Sequence, residues 1–74
     1  MARPLHLFKG DHADTAVAVI APQLAAGDEV TVAVLGGATP PALSPEVTIR
    51  RVPDDLSYDG LVALIFEADA VVTW

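Results

Sequence analysis

Asp54 and Asp55 are neighbouring carboxylates, the kind of pair that general acid–base work or a divalent cation uses. His12 carries an imidazole that could act as a general base or a metal ligand. Lys9 and Gly10, followed by Asp11 and a helix start, could meet an anion at a helix N-terminus. Gly36-Gly37 ends a strand-like run where a ligand loop could lie, and supplies backbone freedom at the turn. Each residue also has a plainer role. Gly and Asp are default turn residues, and adjacent acids ahead of a helix serve as cap and dipole partners. A lone loop histidine lacks the converging ligands that a metal site needs. No nucleotide-binding glycine fingerprint is present, and Ser44 and Ser57 read as loop and cap residues rather than nucleophiles. The chain contains no cysteine, so thiol catalysis, a disulfide and a Cys-x-x-Cys metal or redox site are all excluded. No cofactor or metal is expected.

The elements that would position these residues follow from periodicity. Leu5 to Phe8 is a short apolar run and reads as a strand, with His6 inside it as a structural residue held by a backbone or side-chain partner. Ala16, Val17, Ile20 and Leu24 repeat at helical spacing, widened by Val19. Asp11 is available as a cap, Asp14 suits the helix dipole, and Gly27 supplies a C-terminal stop. Pro22 lacks an N–H and clashes with the carbonyl of Ala18, which predicts a kink or an early break. Val30 to Leu35 is almost continuously apolar and β-branched, the pattern of a strand buried on both faces of a parallel sheet. Three prolines between Ala38 and Glu46 predict an irregular loop. Val47 to Val52 alternates as a third strand. After a turn at Pro53-Asp54-Asp55, Ser57 caps a helix over residues 58–68, whose apolar face is Leu61, Val62, Leu64, Ile65 and Phe66. Ala70 to Trp74 is a last strand. The order β-α-β-loop-β-α-β predicts one α/β domain over residues 1–74, with a small four-stranded parallel sheet and two helices in a three-layer arrangement. The candidate residues Lys9, Gly10, Asp11, His12, Gly36, Gly37, Asp54 and Asp55 then gather outside the carboxyl ends of the strands, where open α/β sheets take their ligands.

Composition narrows the classes of function. Ten acidic residues against four basic ones give a net charge of −6, and the cations form no stripe, which argues against phosphate-driven nucleic-acid binding. No apolar run is long enough to span a membrane. Met1-Ala2-Arg3-Pro4 leads directly into a strand, so no signal peptide is expected. The lack of cysteine fits a cytoplasmic protein. At 74 residues and 53% hydrophobic composition, two helices cannot cover both faces of four strands, so exposed apolar surface and a homo- or hetero-oligomer are expected. Tyr58 and Trp74 join apolar bodies to polar tips and are candidate interface residues.

Several short segments, in this order and spacing, resemble the TusB/DsrH family of sulfur-relay subunits. They are Leu5-His6 in the first strand, Gly27-Asp28-Glu29-Val30 before the second and Gly36-Gly37 after it. The segment from Tyr58 to Leu64, closing on Val71-Val72-Thr73-Trp74, carries the resemblance furthest. The resemblance implies a DsrE-type α/β fold and assembly with homologous DsrE-like subunits into a complex that passes persulfide sulfur between cysteines, toward transfer-RNA 2-thiolation or within sulfur oxidation. This chain departs from that family in its short crossover between strands two and three. Lacking cysteine, it cannot carry sulfur itself. The expected function is a non-catalytic subunit or homo-oligomeric scaffold. The alternative is a small anion- or ligand-binding module that uses the strand-end loops. An enzyme is not expected.

Overall fold

The computed structural model describes residues 2–74; Met1, part of the opening tetrapeptide, lies outside them. The elements are β1 (Pro4–Phe8), α1 (Ala13–Ala25), β2 (Thr31–Leu35), β3 (Thr48–Val52), α2 (Tyr58–Glu67) and β4 (Ala70–Thr73). All strand pairs are parallel, in the order β3-β2-β1-β4. The expected α/β class, strand count and helix count hold.

Alternation along the strands divides the core into two layers. Phe8, Val32 and Val34 pack with Ala16 and Ile20 of α1, and Leu24, Leu43 and Trp74 lie against them. On the other face Leu5, Ala33 and Val52 pack with Leu61 of α2, flanked by Leu56, Leu64 and Ala68. The chain steps from β1 outward to β2 and β3, then returns past β1 to β4. Right-handed crossovers that run in opposite directions place their helices on opposite faces, and this gives one helix per side. Residues 36–47 between β2 and β3 hold no helix, as the three prolines require. Leu43 and Val47 from this segment still add to the α1-side core.

Two local expectations are corrected. The cap of α1 is not Asp11. His12 occupies the N-cap position in the left-handed region (φ 60°, ψ 35°), without a side-chain cap bond. Pro22 does not break α1, which continues to Ala25. The residue lies in the last turns, and Ala18, whose carbonyl loses its partner there, is exposed to water. The helix then ends as Gly27 predicts. Gly27 has φ 83°, its N–H donates to the Leu24 carbonyl, and the Asp28 N–H donates to the Gln23 carbonyl, the double bond of a Schellman cap.

The apolar face of α2 is only partly covered, and the expected exposed apolar surface lies there. Leu61 is buried and Leu64 half-buried, but Val62, Ile65 and Phe66 are exposed, Phe66 by 85%. The apolar band of α2 is wider than its contact with the sheet. The two helices cover the central strands, and β3 and β4 are left as edges with mostly exposed side chains.

Candidate functional site

In a parallel sheet all carboxyl ends lie on one side, so the loops holding Lys9 to His12, Gly36-Gly37 and Asp54-Asp55 do share one end of the molecule. The first two loops approach each other closely: a Cβ on Gly10, which has φ 110°, would lie 3.6 Å from Cβ of Ala38. The side chains do not form a centre. Lys9, Asp11, His12, Asp54 and Asp55 are all exposed. Asp55 closes its own turn, its Oδ2 accepting from the Arg51 N–H at 3.1 Å while its N–H donates to the Arg51 carbonyl at 2.7 Å. That is the turn role, and it occupies one member of the carboxylate pair. Ser57 caps α2 as expected, its hydroxyl oxygen accepting from the Gly60 N–H at 3.1 Å. Among the described residues no group of three or more His, Asp or Glu side chains is placed to hold a metal ion.

The strand order reverses between β1 and β4, and a ligand of an open α/β sheet would enter beside that junction. Its α1 side is filled by the protein's own Trp74. The Trp74 N–H donates to the Leu7 carbonyl at 2.9 Å, which continues the ladder past β4. Its indole Nε1 donates to Nδ1 of His6 at 2.9 Å, and Nε2 of His6 lies 2.8 Å from Oε1 of Gln23 on α1. The imidazole and indole planes differ by 7° with centroids 6.0 Å apart. With a hydrogen bond joining their edges, the rings lie side by side rather than face to face. An indole nitrogen only donates, so Nδ1 accepts and the hydrogen of the neutral ring sits on Nε2, donating to Gln23. His6 is completely buried and both its nitrogens are used. It is the structural residue that its place in a strand suggests.

A cleft of about 350 Å³ opens at the opposite end of the sheet, between the amino ends of β1 to β3 and the end of α2. Glu29, Glu46 and Glu67 line it together with Arg3, whose guanidinium lies 3.4 Å from Glu29 in an exposed pair. The sequence does not announce this cleft, because its acids come from three separate segments: Asp28-Glu29 ahead of β2, Glu46 ahead of β3 and Glu67 at the end of α2. Among the described residues no buried side-chain nitrogen or oxygen lacks a partner, so no unsatisfied polar group marks a ligand at either end.

The feature that stands out is apolar. Tyr58, Val62, Ile65 and Phe66 recur at i, i+4, i+7 and i+8 along one side of α2. All four are exposed, as is Val71 on the neighbouring edge strand β4. Of the two aromatic residues expected at an interface, Tyr58 lies on this surface and Trp74 is half-buried against the core.

No protein-family model matches the chain, and no curated protein or solved structure matches it. Among the described residues no helix is long and apolar enough to cross a membrane.

Proposed function

We propose that this chain is a non-catalytic assembly subunit, working in the cytoplasm as part of a larger complex of the sulfur-relay kind that its sequence resembles. One observation carries the reading: the uncovered stripe of Tyr58, Val62, Ile65 and Phe66 beside Val71. In a domain of 74 residues the core is small, and leaving two aromatic and three branched side chains in water is unfavourable unless another surface covers them. The exposed, unclustered polar side chains at the strand ends support the same view, since catalysis needs groups brought within hydrogen-bond reach of one another or of a substrate. With no cysteine in the sequence, the subunit contributes shape and contact surface, and any persulfide rides on another chain. The test is to isolate the tagged chain from its host and identify what accompanies it. Stoichiometric recovery with a cysteine-bearing DsrE-type homologue, or as a defined multimer of this chain, is the expected result. A chain that stays monomeric and partnerless at high micromolar concentration overturns the reading.

A further inference from the structure

The two edges of the sheet differ in a way that selects one of them for pairing. β3 carries Arg50 and Arg51 and runs into Pro53, the charges and proline that commonly block edge-to-edge association. β4 is Ala70-Val71-Val72-Thr73, with no charge and no proline. Its inner side is engaged with β1, and the Trp74 N–H points inward to Leu7. Because main-chain groups alternate in direction along a strand, the N–H and C=O of Val71 and Thr73 face the open side. Val71 lies on the α2 face of the sheet, in register with Leu5, and since Leu64 and Glu67 turn the other side of α2 toward the cleft at β1 to β3, the exposed stripe is left on the β4 side.

We propose that this surface binds a second copy of the chain. Two β4 strands pair antiparallel about a two-fold axis at Val72, Val71 of each bonding with Thr73 of the other. The two α2 stripes then pack on one face of the joined sheet. This proposal rests on reading the face as an assembly surface and names its occupant.

The two-fold arrangement lets the spacing of the stripe match itself: Tyr58, Val62 and Phe66 are four residues apart, so antiparallel α2 helices set Tyr58 against Phe66 of the other copy, with Val62 at the centre. The charges favour a copy over a basic partner. Of the two carboxylates of α2, Glu67 lines the cleft on its other side with Leu64 and only Asp59 borders the stripe. The Asp69 carboxylate is occupied, accepting from the Arg3 N–H at 2.8 Å. The stripe and the strand edge themselves carry no charged side chain, and of the chain's ten acidic residues only Asp59 and Asp69 border them, which leaves little for a cationic segment to recognise. Its size is adequate. Phe66 and Tyr58, 85% and 64% exposed, each offer on the order of 100–200 Å². Together with the valines, Ile65 and the strand edge they approach the roughly 800 Å² per partner of a standard interface.

Sedimentation equilibrium of the purified full chain, combined with amide hydrogen exchange, tests this. The expected species has twice the 7.7 kDa chain mass, with slowed exchange at Val71 and Thr73 as concentration rises. Phe66→Glu and Val71→Lys should each raise the dimer dissociation constant by about tenfold or more. Thr48→Lys on the β3 edge should leave it unchanged. Phe66 is so exposed that its variant folds even if Val71→Lys does not, and circular dichroism verifies this. A dimer indifferent to folded Phe66→Glu, or one broken by Thr48→Lys, overturns this interface while leaving the assembly role standing. A monomer that recovers a homologous partner from the host does the same. A monomer that recovers nothing overturns both.

Discussion

The indole of Trp74 donates to the imidazole of His6 across 68 residues of sequence, inside a sheet where His6 has no solvent contact. This bond ties the end of β4 to the centre of β1, and Gln23 ties the same ring to α1. Trp74→Phe keeps an aromatic body but removes the donor, leaving a buried nitrogen unpaired, so it should destabilise the fold by about 1–3 kcal/mol. His6→Phe should cost at least as much, since it strands both the indole N–H and Gln23. The double variant should be less unstable than the sum, by a coupling of about 0.5–3 kcal/mol. Urea unfolding followed by circular dichroism measures all three. A purely additive result would mean that the bond contributes nothing and that packing alone holds Trp74.

Pro22 sits inside α1 with its ring toward solvent. Replacing it with alanine restores an N–H for the Ala18 carbonyl and removes the ring clash, an effect of about 3 kcal/mol in a helix interior. The gain is smaller here because the residue is in the last turns and because proline also limits the unfolded chain, worth about 0.4–1 kcal/mol. Pro22→Ala should therefore stabilise the protein by about 1–2 kcal/mol, read from the urea midpoint at unchanged slope. Loss of stability would show that the ring makes a contact the helix needs.

The strand pattern is legible in the sequence because its physics is local. Val30 to Leu35 is apolar on both sides and β2 is central; Val47 to Val52 alternates and β3 is an edge. Gly27 forecasts the Schellman cap, and the prolines after Gly37 forecast the helix-free crossover. The limits are equally physical. Periodicity identifies the apolar band of α2 but not which part meets the sheet, so nothing in the pattern separates buried Leu61 from Val62, Ile65 and Phe66, which face water. The partnership of His6, Gln23 and Trp74 depends on three elements meeting, and no local spacing signals it. The candidate residues at the strand ends are placed on one side by the parallel topology, but Lys9, His12 and Asp54 are all exposed, and among the described residues no hydrogen bond or ion pair joins them.

Gly27 is the one residue of the α1 cap whose backbone no other type adopts freely. It lies at φ 83° with open space around its Cα, so an added methyl group meets no neighbour and the effect isolates the backbone. Gly27→Ala should cost about 1–2 kcal/mol, the penalty of an L-residue in the left-handed region. The same variant should speed amide exchange at Asp28, which donates back to Gln23. A neutral result would mean that the cap reforms with a different geometry.

His12 holds the same left-handed region without being a glycine, and its side chain makes no cap bond to α1. Strain of this kind collects at functional sites, so relieving it separates a structural accident from a binding loop. If the strand-end loops serve only as turns, His12→Gly should raise stability by about 1 kcal/mol and Lys9→Ala should stay within about 0.5 kcal/mol of the parent. Millimolar phosphate should then shift the melting temperature of none of the three proteins. A phosphate-dependent rise in the parent that both substitutions abolish would, by linkage, make this loop an anion site and shift the function from assembly toward ligand binding.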